Sequence, residues 1–117
     1  MRRRIMTWRR FEYSMRIPRK LKWSTEKAQE FADRYADSIG GKRRPIVFDL
    51  ATKGRGSRYL GMFCDDRIRL SVELETDERW RTLIHELAHH WAHHGQKKLF
   101  LEAMEFTYGE FQKWLKE

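Results

Sequence analysis

The chain has 117 residues, of which 40% are hydrophobic and 36% charged, with a formal net charge of +8. That composition excludes a disordered chain and suits one globular domain spanning 1–117, marginal enough in size for a bound metal or partner to matter to stability. A single cysteine, Cys64, excludes an internal disulfide and any C-x-x-C zinc ribbon. No apolar run reaches membrane-spanning length, and the Arg-rich start is not followed by the apolar core of a secretory signal, so a cytoplasmic protein without membrane contact is expected.

The positive excess sits at the N-terminus. Residues 1–22 hold nine Arg or Lys against Glu12 alone, which leaves sixteen basic and sixteen acidic residues for the rest. Trp8, Phe11, Tyr13 and Trp23 are interleaved with these cations, so the segment could pair with phosphates and stack on bases, and a DNA contact is one expectation. The other is structural: Phe11, Tyr13, Met15 and Ile17 alternate with polar residues, the period of a half-buried strand.

After Ser24, an N-cap residue, Ala28, Phe31, Ala32, Tyr35, Ala36 and Ile39 recur at helical spacing until Gly40-Gly41. Pro45 introduces the strand-like PIVFDL, ATKGRGS reads as a flexible loop, and YLGMFC and RIRLSV flank Asp65-Asp66 as a hairpin, with Cys64 a small buried hydrophobe on a strand. Thr76, with Asp77 and Glu78 behind it, opens a second helix as a hydroxyl cap, and Gly95 suits its stop. A last helix from about Lys97 carries Leu99, Phe100, Ala103, Phe106, Phe111 and Trp114. The expected class is α+β: an N-terminal helix, a small mostly antiparallel sheet, a histidine helix and a C-terminal helix.

All five histidines fall in HELAHHWAHHG, His85 to Gly95. On a helix Trp80, Ile84, Leu87, Ala88 and Trp91 share the core side, while His85 and His89 lie one turn apart with Glu86 beside them. This H-E-x-x-H order lets two imidazoles reach one zinc ion while the carboxylate takes a proton from bound water. A catalytic zinc takes three protein ligands. His93 on a straight helix does not serve, because three successive turns span about 11–12 Å. His94 can swing back if the helix ends before it, and Glu102 or Glu105 can supply the position from a returning last helix.

The run from Gly61 through RIRLS and TLIHELAHHW to HGQKKLF resembles the SprT-like metallopeptidases, including the Spartan and WLM-type proteases, over residues 45–106. That resemblance implies a minimal zincin-like metallopeptidase domain holding Zn2+ through His85, His89 and His94, with peptide hydrolysis directed to DNA-associated protein. The interval from His89 to His94 is shorter than that family shows. A second resemblance is to the ImmA/IrrE-type peptidases, in which LEAMEF would place the third ligand on Glu102 and the activity would be cleavage of a repressor. In both, Glu86 acts as general base toward a protein or peptide substrate, with Tyr108 or the hairpin arginines as candidate oxyanion donors. An extended substrate could pair with YLGMFC or RIRLSV as an added strand. A non-catalytic zinc or nucleic-acid binding module is the remaining reading, against which Glu86 argues.

Overall fold

The computed structural model describes residues 5–40, 46–50, 61–64, 67–71 and 75–117. Arg2 to Arg4, Gly41, Pro45, the ATKGRGS loop and Asp65-Asp66 lie outside the described residues.

The first element departs from expectation. Residues Trp8–Ser14 form helix α1, not a strand, with the Thr7 hydroxyl capping it by accepting from the Arg10 amide at 3.2 Å. The reason is where the side chains must go. Trp8, Phe11 and Met15 lie at i, i+3 and i+7, one helical face, and all three pack on the core. Tyr13, which a strand would place on the same side as Phe11, is 82% exposed. Packing also occupies Trp8, Phe11 and Trp23 as base-stacking aromatics, because each lies against the hydrophobic cluster.

Helix α2, Thr25–Ser38, is capped by the Ser24 hydroxyl, which accepts from the Lys27 amide at 3.0 Å, and Gly40 beyond its end takes a φ of 104°. It buries Ala28, Phe31, Ala32, Tyr35 and Ala36 on one face. Ser24→Ala removes the acceptor for an end amide and is expected to cost about 1 kcal/mol, read as a shift in urea midpoint without a change in slope.

Three short strands follow, β1 (Ile46–Leu50), β2 (Gly61–Cys64) and β3 (Arg67–Ser71), in the order β1-β3-β2. Strand β3 pairs antiparallel with β2, Cys64 opposite Arg67, and parallel with β1 from Ile46↔Arg67 to Leu50↔Ser71. The expected α+β class with a mostly antiparallel sheet is therefore corrected. The longer of the two ladders is parallel, and the described residues are mainly helical: among them helices of 7, 14, 13 and 19 residues stand against strands of 5, 4 and 5. Val47 and Ile68 of the sheet join the core beside residues of the helices and their connections. A parallel pair needs a crossover, which the sequence hides because hairpin-like spacing is visible only for β2 and β3.

Helix α3, Thr76–Ala88, begins one residue before the expected cap acts. Glu75 takes the N-cap position without a side-chain hydrogen bond, and Thr76 is already helical, with Asp77 and Glu78 in the first turn. It ends at Ala88 rather than near Gly95. Helix α4, Lys97–Leu115, returns across α3, burying Phe100, Ala103, Met104, Thr107, Glu110 and Phe111. Arg34 of α2 pairs with the buried Glu110 at 2.6 Å, tying α2 to α4. No helix among the described residues is long and apolar enough to cross a membrane.

Candidate metal centre

The early end of α3 makes the site possible. Past Ala88 the chain leaves the helix, Ala92 is buried, and the Trp91 indole donates to the Tyr35 hydroxyl at 2.7 Å, which pins the turn to α2. Trp91 is therefore 46% exposed and held at its edge, where a continued helix would have put it in the core. The turn reverses the chain and returns His94 to the level of His85 and His89. Gly95 serves that turn by close approach: a Cβ there would meet Cε1 of His93 at 3.0 Å, and its amide donates to Nδ1 of His93 at 3.1 Å. His93 is thus occupied within the turn and exposed.

His85, His89 and His94 come together as one group, with their candidate ligand atoms all within 4.8 Å of one another. Nε2 of His85 lies 2.8 Å from Nε2 of His94 and 3.2 Å from Nε2 of His89. The remote nitrogens of His85 and His89 are engaged elsewhere. Nδ1 of His85 donates to Oε1 of Glu12 at 2.6 Å, and Nδ1 of His89 donates to the Ala92 carbonyl at 3.0 Å. A carboxylate or carbonyl oxygen only accepts, so each of these imidazoles carries its proton on Nδ1 and, when neutral, turns a bare lone pair toward the other. Two lone pairs face to face repel unless a cation lies between them. A tetrahedral ion bound at about 2.0–2.1 Å sets its nitrogen ligands about 3.3–3.4 Å apart, close to the 3.2 Å between His85 and His89 and wider than the 2.8 Å between His85 and His94, so an ion would spread the second pair slightly. The donor set therefore fits a nitrogen-ligated metal ion.

Burial agrees with the geometry. Desolvation lowers the pKa of His89, with the Ala92 carbonyl opposing it, and burial likewise lowers that of His94, so both favour the neutral form that binds a cation. Glu86 is 7% exposed, and its burial pushes the carboxyl up to about 7, the attraction of His85 working against that and Glu12 adding to it.

Phe100 of α4 forms the floor. Its ring stacks on His89 at 4.6 Å and meets His85 and His94 at 5.1 Å. Trp8 of α1 stacks on His94 at 4.5 Å and 13°. Glu102 and Glu105 are exposed on α4 and are not members of the group. Tyr108 does not serve as a free oxyanion donor, because its hydroxyl accepts from the Arg16 amide at 3.0 Å and donates to the Arg16 carbonyl at 3.1 Å. The side chains of the hairpin arginines lie outside the described residues.

Glu12, Trp8 and Phe100 are the residues that sequence reasoning passed over as site components. The signal for the first two was present in Trp8, Phe11/Glu12 and Met15, which repeat at helical intervals behind the capping residue Thr7.

No curated protein and no solved structure matches the chain. Residues 47–114 match the family model of the IrrE N-terminal-like domain, Peptidase M78, which supports the second of the two resemblances, whereas the SprT-like one, given first on its hairpin and HELAH helix, is not shown. The matched segment contains the whole histidine group and Glu86, and covers more than half of the chain. The chain belongs to the Peptidase M78 family of IrrE N-terminal-like domains.

Proposed function

We propose that the protein is a zinc-dependent peptidase of the regulator type, cutting a protein partner such as a repressor at a defined site. His85, His89 and His94 hold the ion and Glu86 is the general base. The observation that carries the reading is the convergence of three Nε2 atoms, two of them on rings whose Nδ1 is committed to an acceptor, which leaves Nε2 free to bind when the ring is neutral. An ion held there would supply a polarised water and a Lewis acid for the peptide carbonyl. Glu86, buried one residue along from His85 and with its carboxyl near 7, is suited to accept a proton close to neutral pH and to return it to the departing amine. Phe100 and Trp8 wall the group with rings on one side, where electrostatic effects are stronger, and exposed His94 marks the side open to solvent. The partner's backbone could add to an outer strand. Strand β3 is paired on both sides, which removes RIRLSV from that role and leaves β2 of the two stretches first considered.

The test is metal stoichiometry. The purified chain is expected to carry about one zinc per molecule by elemental analysis. A His85→Ala, His89→Ala double variant should carry none. Zinc retained by that variant at the level of the unaltered chain rejects the site.

A further inference from the structure

We propose that Glu12 is a positioning residue of the metal centre, holding the His85 ring so that Nε2 is presented as the ligand, and that Trp8 one turn earlier holds the plane of His94. The inference rests on the metal-binding reading above and extends it to a segment outside the family-matched residues 47–114.

The geometry is specific to one face of α1. Trp8 and Glu12 are four residues apart, so their side chains stand one above the other on the helix. Both point at the histidine group: Trp8 stacks on His94 at 4.5 Å and meets the edge of His85 at 5.4 Å, while Glu12 takes the Nδ1 proton of His85 at 2.6 Å. The ring of His85 lies between Glu12 and the other two Nε2 atoms, so the carboxylate cannot also be a direct ligand in this arrangement.

The helix that delivers these side chains is fixed at its far end. Met15 is fully buried, its carbonyl accepts from Nε of Arg81 at 3.3 Å, and both backbone polar groups of Arg16 bond the Tyr108 hydroxyl. Phe11 packs edge-on against Tyr108 at 5.8 Å. With α1 anchored to α3 and α4, Glu12 meets His85 with little freedom left to lose.

A carboxylate on the remote nitrogen of a ligating imidazole fixes the ring's tautomer and rotation and raises its basicity, and removing such a partner weakens metal binding by about ten- to a hundredfold. His89 has a neutral carbonyl, that of Ala92, in the same role, so the charged partner is found on His85.

The experiment uses the full chain and zinc alone, with affinity read by chelator competition beside the metal-free melting temperature. Glu12→Gln keeps the size of the side chain and removes its charge. It is expected to weaken zinc binding by at least about tenfold while the metal-free chain melts close to the unaltered one, and Glu12→Asp is expected to recover part of the loss. Unchanged zinc affinity in Glu12→Gln, with the unaltered chain binding zinc and the His85→Ala, His89→Ala variant not, overturns the role of Glu12 and leaves the metal site standing. Equal affinity in that double variant overturns both. If Glu12→Gln does not fold, long-range nitrogen–proton NMR of the unaltered metal-free chain decides: a His85 proton on Nδ1 supports the assignment, and one on Nε2 alone overturns it.

Discussion

Glu86→Gln is expected to lower peptide hydrolysis by at least about a hundredfold and, at the same time, to stabilise the metal-free chain. The first effect follows from losing the only proton acceptor proposed for the reaction, and zinc content should stay at about one per chain because none of the three nitrogen ligands is touched. The second follows from burial. The carboxyl of Glu86 titrates near 4.5 when solvated and near 7 in the folded chain, so the folded state holds its proton more tightly than the unfolded one. Below pH 4.5 both states are protonated and the residue costs nothing. As pH rises from 4.5 toward 7 the unfolded chain ionises first, and folding is penalised increasingly until both states are ionised. The full gap corresponds to about 3 kcal/mol as an upper figure. Gln carries no such charge. Denaturation in the presence of chelator should therefore show Glu86→Gln more stable than the unaltered chain at pH 8 and level with it near pH 4. Equal turnover of casein by the two proteins would reject Glu86 as base, and equal stability at pH 8 would reject the desolvation account.

Phe100→Ala is expected to cost about 3–5 kcal/mol and to weaken zinc binding with it. The ring is fully buried and touches all three histidines and Trp8, at 5.2 Å from the last, so removing it opens a cavity directly beneath the metal group. Phe100→Leu fills most of that space and should cost less on both counts. Urea denaturation with chelator reports the first quantity and chelator competition the second. Zinc affinity left unchanged in a folded Phe100→Ala protein would mean that the histidine rings are held by their backbone and hydrogen bonds alone.

The grouping of the candidate site was more legible than the architecture. His85, Glu86 and His89 announce themselves because a helix turns residues one and four apart into neighbours, and that relation survives any tertiary context. His94 was harder, since the apolar Trp91 invites reading the helix onward past Ala88. Only the packed structure, with Trp91 bonded to Tyr35, shows why it stops. The parallel partner of β3 was hidden for a different reason: β1 is distant in sequence, and register across a crossover leaves no local trace. Residues 8–15 carry two periods at once, Phe11-Tyr13-Met15 for a strand and Trp8-Phe11-Met15 for a helix. Propensity over so short a stretch does not separate them, and the contacts with α4 decided. That one ambiguity concealed Glu12, because a residue's partner across the fold is invisible until its own element is known.

The burial pattern of α2 also bears on where the chain can be cut. The family-matched segment opens within β1, at Val47, yet Phe31 and Tyr35 of α2 pack edge-on and tilted against the rings of α4 and Met15 closes the same core from further upstream. A chain cut at residue 47 would carry every histidine and leave behind Trp8, Glu12 and the α2 rings packed against α4. The matched segment and the set of residues that builds its core therefore have different borders. A truncation drawn at the border of the match would keep the motif and lose part of its scaffold.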